Sequence, residues 1–414
     1  MANTIITSKI ASIETLRVLH NTSALIQNVN RDYQKVYSEM GVKVGTTVNL
    51  RIPATYYYTK GQSITVQGTT ETYVPVTLNT QGNIAFEFSS VELATAIEKF
   101  SERYLTPIAA RIATGVDVDG FVAALPTVFH QVGTPGTTPG TSGGSGLLTT
   151  TAPQIVLNAG VQMTNMATPT ARRRVALNPA AGASVVAALT NVFNPAETIA
   201  EQYISGRMGR ALNFTFLETQ NIPQLLTGTH GGTGQVNGNN QTGSALVTSG
   251  WTANQTVLKA GEVFTIAGVN EVNPENQNTT GNLAQFVVTS DVTADASGNA
   301  TINIAPSLIP TGATVSNGTV DVSPVTGALL TLQSGSASTK YPVNMAFHKD
   351  AFTLVTADLP MPEGAEFAAR EVYDDVSLRI WKDRDINSDS FPCRVDVLYG
   401  WATPRPQLAC KIAG

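Results

Sequence analysis

The clearest alternation of apolar and polar positions lies near the end of the chain. From Ser377 to Trp381, Leu378 and Ile380 alternate with Arg379, and from Arg394 to Tyr399, Val395 and Val397 flank Asp396. A period of two is that of a half-buried strand, so two strands are predicted here with a charged turn between them. Pro404 and Pro406 then interrupt regular pairing, and Leu408 and Ile412 resume an apolar alternation. Tyr399 and Trp401, on either side of Gly400, are the predicted core of these closing strands. The sheet they enter has to be built by earlier parts of the chain.

Taken from its start, the chain changes period several times. Ile5 to Val29 places Ile6, Ile10, Ile13, Leu16, Leu25, Ile26 and Val29 near helical spacing, which predicts one or two amphipathic helices. From Thr47 the pattern is that of strands: Val48, Leu50 and Ile52, then Ile64 and Val66, then Val74, Val76 and Leu78. This long, Thr-rich hairpin has too few apolar residues for a core of its own and is expected to lie on something else. Ile84, Phe86 and Phe88 give one more strand. At Ser89, which forms a capping box with Glu92, the period becomes helical, with Leu93, Ile97, Phe100, Tyr104, Ile108 and Ile112 at steps of three or four. A long helix follows, with a kink expected at Pro107.

His130 to Thr151 is a Gly/Thr/Pro-rich loop. Helices are predicted over Pro153 to Met166 and Ala180 to Phe193, and short strands over Arg174 to Leu177 and Leu212 to Leu217, an order that suggests an α/β subdomain. Gly228 to Asn240 and Gln333 to Thr339 read as linkers. Between them stand only strand and turn signals: Glu262 to Val269, Gln285 to Thr289, Thr301 to Ile304, Thr319 to Val322 and Leu329 to Leu332. Short strands at this spacing predict a small β-barrel or sandwich inserted into the surrounding domain.

Charge sharpens that boundary. From Gly228 to Thr339 one lysine faces six acidic residues, whereas the rest of the chain is formally neutral within a total of -5. Charged residues make up only 13% of the chain, about half of what ordinary soluble domains carry. A surface that is polar yet weakly charged suits a protein that touches many copies of itself, because each unpaired charge buried in an interface is costly.

Few groups point to chemistry. Cys393 and Cys410 stand apart, without a CxxC pattern or a companion histidine. The four histidines are scattered, so neither a metal centre nor a cofactor is expected. Gly140 to Gly144 spells GxSxG inside low-complexity sequence, where the strand and helix of a nucleophile elbow are not predicted. Asp383, Asp385, Asn387 and Asp389 imitate a calcium loop, but Ser388 and Arg394 stand where glycine and glutamate are needed. No catalytic residue is assigned. MANTIITSKIAS has no apolar signal core and no run approaches membrane-span length, so a cytosolic product without a membrane partner is expected.

The order of these elements, with GEVFTIAGV at Gly261 to Val269, NMAFHKDAFTLVTADLPMPEG from Asn344 and SLRIWKDRDINSDSFPCRVDVLYGWATPRP from Ser377, resembles the major coat proteins of tailed double-stranded-DNA phages of the P-twenty-two type. The resemblance implies an α+β, HK-ninety-seven-like coat fold with an inserted all-β domain. Its parts would be an N-terminal helical arm (1–45), an E-loop hairpin (46–82), a P domain with a spine helix and the Gly/Thr-rich loop (83–152), an A domain (153–227), the inserted barrel-like domain (228–339) and a C-terminal return to the A and P cores (340–414). It further implies pentamers and hexamers of the chain in an icosahedral shell assembled in a bacterial host's cytoplasm. The expected partners are a scaffolding protein, a portal and packaged double-stranded DNA held non-specifically.

Candidate intersubunit contacts are Tyr56, Tyr57, Tyr58 and Lys60 on the hairpin. Arg172, Arg173 and Arg174 are a second group, expected either to touch packaged DNA loosely or, the favoured reading, to pair with a neighbour's carboxylates. The competing class, an extracellular or surface-layer β-rich structural protein, fits the Thr and Asn richness but calls for a signal peptide.

Overall fold

The computed structural model describes residues 23–31, 47–58, 60, 62, 66–67, 72–89, 106–136, 152–189, 209–312, 315–373, 376–384 and 390–413. The chain divides into two compact units, one drawn from residues 1–51, 73–120 and 352–404, the other from 52–72, 121–351 and 405–414.

In the first unit, strand Ser390–Ala402 organises a five-stranded antiparallel sheet. It pairs with Thr80–Ser89 over ten residues, from Ser390 opposite Ser89 to Tyr399 opposite Thr80. It also pairs with Val376–Lys382 and with Thr353–Ala357, and Phe367–Tyr373 forms an edge. Both strands predicted from the closing alternation are present. They are not half-solvated, however: every residue from 395 to 400 is buried, Asp396 included. The reason is that both faces are covered.

An apolar cluster of Leu50, Val76, Leu78, Val355, Ala357, Leu359 and Leu398 occupies part of this unit. Leu50 and Val76 come from the hairpin ladder Thr47–Ile52 with Thr72–Thr77, so the base of the hairpin is anchored in this core. Helix α1 is described from Thr106 to Ala124. Pro107 lies in the first described turn; the Ser89–Glu92 capping box and any kink leading into Pro107 lie outside the described residues. So do the predicted helices before Ser23 and the strand through Ile64.

The second unit contains a seven-stranded sheet and a barrel. Along the sheet lie Gln131–Gly133, Ala409–Ala413, Lys340–His348, Arg173–Leu177, Phe214–Glu218 and Arg210–Ala211, with Gln224–Leu226 pairing the start of Lys340–His348. Ala409–Ala413 runs parallel to Gln131–Gly133 and antiparallel to Lys340–His348. Helices α2 (Ala152–Asn165) and α3 (Pro179–Leu189) bring Val156, Ala159, Met163, Ala181 and Val185 onto Val175, Leu177, Ala346, Cys410 and Ile412. The α/β subdomain is thus completed by a strand from the far end of the chain. Gln131–Gly133 also shows that the loop predicted from His130 begins as strand, while the GxSxG run lies outside the described residues.

Six antiparallel strands, in the order Leu330–Leu332, Val263–Val272, Thr279–Val288, Ala300–Leu308, Gly243–Trp251 and Gly232–Val236, make the barrel. It closes where Gln235 bridges Leu329 and the Val236 N–H donates to the Ala328 carbonyl at 2.9 Å. Alternation sends Phe264, Ile266, Phe286, Val288, Leu246, Ile302 and Ile304 inward to a packed core. The stretch Gly228 to Asn240 is therefore not simply a linker, since it carries the first barrel strand. Thr319 to Val322 forms only isolated bridges through Val320 instead of the predicted strand. Where the chain crosses into and out of the barrel, the two crossings bind one another. The Thr227 N–H donates to the Thr339 carbonyl at 3.0 Å, the Thr339 N–H donates to the Thr227 hydroxyl at 3.0 Å, and the Ser338 N–H donates to the Gly228 carbonyl at 2.8 Å.

Candidate assembly surfaces

Aromatic side chains of the hairpin stand in solvent. Tyr58 is 85% exposed, Tyr56 59%, Tyr73 62% and Val66 89%, and Lys60 is exposed beside them in sequence. Tyr57 is half-buried, and its backbone is held by one amide: its N–H donates to Gln67 Oε1 at 2.9 Å and its carbonyl accepts from Gln67 Nε2. Thr55 and Ser316 share a hydroxyl–hydroxyl contact of 3.2 Å. A rigid aromatic with a polar tip buries much area at low entropic cost, which is what a repeated contact between polar surfaces requires.

The three arginines divide. Arg172 is exposed, with φ +58, and Arg174 is half-buried, where burial and then the neighbouring Arg172 charge lower its pKa. Arg173 is turned inward and is 3% exposed. Its Nε donates to the Pro169 carbonyl at 2.9 Å, Nη1 to the Gly160 carbonyl at 3.2 Å and Nη2 to the Thr168 carbonyl at 2.6 Å, with Thr164 Oγ1 accepting from both Nη atoms at 3.1 Å. A cation placed on carbonyls at the end of α2 stabilises that terminus. Arg173 is accordingly removed from the predicted contact group, its charge being spent within its own chain.

Within the first unit, buried polar groups fix the packing. The Tyr399 side chain is 4% exposed, and its hydroxyl donates to Asp119 Oδ2; burial and that carboxylate both raise the phenol's pKa. Trp401 is half-buried, with Nε1 donating to the Val116 carbonyl at 3.1 Å. Its ring lies against Gly120, where an added Cβ would come within 2.7 Å of the indole and 2.6 Å of Leu25 Cδ2.

Asp117, also on α1, gathers the turn at Ser23 to Ile26. It accepts from the Ser23 hydroxyl at 2.5 Å and from the Ala24 N–H at 2.8 Å. Burial pushes its carboxyl pKa up, and these donors pull against that. Asp396 is 0% exposed and accepts from Arg379 Nη2 and Arg394 Nε at 2.6 Å each, Trp381 Nε1 at 3.1 Å and Gln81 Nε2 at 3.2 Å. Burial raises its pKa, but those four donors outweigh burial and leave it below the usual value.

Sequence reasoning passed over Asp117 and Asp119. The available signal was two aspartates in the otherwise apolar run Ile112 to Val122. Among the described residues no group of metal-ligating side chains gathers, and no helix is long and apolar enough to cross a membrane.

Residues 2–414 match the family model described as P22 coat protein, gene protein 5, and the chain belongs to that family. It is a structural component of a phage capsid, hence of the virion, with the HK-ninety-seven-like α+β coat fold.

Among solved structures it is similar to a Mycobacterium phage Che8 chain, at 12% identity and TM-score 0.46, covering 94% of this chain and 90% of that one. The capsid structure of Cyanophage P-SCSP1u is similar at 11% identity and TM-score 0.41, covering 90% and 84%. A chain of the satellite phage P4 procapsid, a structure that includes the size determination protein, is similar at 8% identity and TM-score 0.38, covering 96% and 89%. No curated protein matches the sequence.

Proposed function

We propose that the chain forms pentamers and hexamers of an icosahedral shell. In this reading the shell is built with a scaffolding protein around a portal in the cytoplasm of the host bacterium, and it encloses double-stranded DNA that it contacts without sequence preference. The hairpin between residues 46 and 82 is the principal reach between neighbours: its base is held by Leu50 and Val76, and its outer part lays Tyr56, Tyr57, Tyr58 and Lys60 on an adjacent subunit. Arg172 and Arg174 supply charge to a second contact.

The observation that carries this reading is the exposure of Tyr56 and Tyr58 on a hairpin whose base is buried. Rings left in water at 59% and 85% gain apolar burial only by meeting another surface. Because a closed lattice repeats each contact many times, individually modest contacts suffice.

Trypsin tests it. Lys60 is exposed and followed by Gly61, and Arg51 is exposed and followed by Ile52. Soluble subunits are expected to be cut first at Lys60, and assembled particles to resist at the same enzyme ratio. Equal rates in the two states would remove the hairpin from the intersubunit contact. Negative-stain microscopy of the chain with and without its scaffolding partner reads assembly directly, as shells of fixed diameter or none.

A further inference from the structure

Within the second unit, the barrel meets the sheet through a buried seam that is mostly polar. The outward-facing Val263 and Val287 pack on Phe129. Beside them Gln285 Oε1 accepts the Gln131 N–H at 2.7 Å, and Gln285 Nε2 donates to the Gln131 carbonyl at 2.9 Å. Asn273 Nδ2 donates to the Asn165 carbonyl, at the end of α2, at 2.7 Å. Gln162 of α2 lies 2.9 Å from His130 Nδ1 and donates to Glu271 at 2.6 Å.

Lys411 sits in this seam. It is 0% exposed, and its Nζ donates to the Gly261 carbonyl, just before barrel strand Val263–Val272, at 2.8 Å. Among the described residues that neutral carbonyl is its one hydrogen-bond acceptor, whereas an ammonium carries three donors. The nearby Glu262 carboxylate is engaged elsewhere: it accepts the Gly228 N–H at 2.6 Å, the Lys259 N–H at 2.8 Å and a hydrogen bond with His230 Nε2. A dry amine with a single neutral acceptor is built for the uncharged form.

We propose that this seam is a proton-coupled clasp: Lys411 is uncharged while the barrel is docked and takes up a proton when the seam opens, so acidification favours the open form. The groups whose charge acts on the Lys411 amine are Cys410 on its own strand and Glu262 from the turn before Val263; next to these, the Lys259 N–H and His230 contact Glu262, Glu271 acts on Cys410, and the His130 carbonyl accepts the Lys411 N–H. Burial pushes the His130 imidazole down to about 3, so it is neutral throughout the relevant range, and burial raises the Cys410 thiol so that it stays protonated.

Burial also pushes the Lys411 amine down to about 7, with Cys410 and Glu262 opposing. An exposed lysine has its pKa near 10.5. Between these two values the open form holds one more proton than the closed form, so each unit fall in pH favours opening about tenfold. Below about 7 both forms carry the proton and the dependence ends.

Hydrogen exchange of the full chain, followed by mass spectrometry on peptides covering residues 260–266 and 409–413 and corrected for intrinsic rates, reads the clasp. Protection is expected to rise about tenfold per pH unit between pH 7 and 9.5 and to be flat below 7. Lys411→Met, close in shape and without the amine, is expected to be highly protected at every pH. A flat wild-type profile, or a slope retained in Lys411→Met, would overturn the proposal. Should the variant not fold, carbon NMR of ε-labelled lysine in the wild-type chain decides: one resonance titrating near 7 supports the clasp, and every lysine titrating near or above 10 sinks it.

Discussion

Asp396→Asn is the substitution that most directly tests how the first unit is held. Asparagine preserves shape and one acceptor oxygen but removes the charge that two guanidinium groups share. Arg379 is 12% exposed and would be left buried beside a neutral amide, while Arg394, at 37% exposure, recovers part of its hydration. Removing one partner of a buried pair costs about 3 to 5 kcal/mol, and exposed pairs are worth about 0 to 1, so a loss near 3 kcal/mol is expected from the Arg379 side alone.

The pH dependence has a definite sign. The folded carboxyl lies below its unfolded value of 3.8, so its stabilisation is present above that value and is lost as the pH falls through the folded pKa. The assay is urea unfolding of the soluble chain at pH 7 and again near pH 3, followed by tryptophan fluorescence, for which Trp381 beside the cluster is a local reporter. The variant is expected to unfold at lower urea at pH 7, and its distance from wild type to narrow in acid. A variant within about 0.5 kcal/mol of wild type at pH 7 would refute the reasoning, because surface-like substitutions fall in that range.

Four further outcomes are expected. Tyr399→Ala costs about 3 to 5 kcal/mol through ring deletion, whereas Tyr399→Phe costs about 1 kcal/mol by losing the Asp119 hydrogen bond; calorimetric unfolding separates the two. Gly120→Ala sets an overpacking penalty of about 1 to 3 kcal/mol against roughly 1 kcal/mol of helix propensity, so a small net destabilisation is expected, and Trp401→Ala in the same chain relieves part of the clash. Arg173→Ala leaves the carbonyls of Gly160, Thr168 and Pro169 without their cation and lowers the melting temperature, while Arg172→Ala leaves it unchanged and alters only assembly yield. The segment Gly228 to Thr339, expressed alone, gives a cooperative β-type unfolding transition because its core is self-contained; random-coil amide shifts would withdraw the domain boundary.

What could be read in the sequence follows from how each element is stabilised. The Arg173–Leu177, Val376–Lys382 and Val263–Val272 strands are rich in Val, Ile and Leu, and their period is plain because apolar burial alone positions them. Gly232–Val236 and Gly243–Trp251 escaped notice because GTGQV and GSALVTSGW carry few apolar residues. They are held by closing the barrel, a long-range condition that no local window contains. Asp396 illustrates the opposite error: period-two alternation placed it on a wet face, yet two arginines make the dry side habitable. Tyr56 and Tyr58 stand exposed, as expected of a Thr-rich hairpin with no core of its own. The inward turn of Arg173, between two outward or half-buried arginines, depends on where α2 ends, and RRR does not encode that.

The position of Ala409–Ala413 fixes an order of events. This strand lies between Gln131–Gly133 and Lys340–His348, and every other strand of that sheet precedes it along the chain. During synthesis the barrel's strands are all available while this inner place in the sheet is still empty, and Lys411 opposite Gln131 closes a loop of some 280 residues. Pairings of such separation form late. A nascent or truncated chain therefore carries a finished barrel on an unfinished sheet and is not yet a complete building block. Completion of the sheet, and with it of the building block, thus waits on the placing of this last strand.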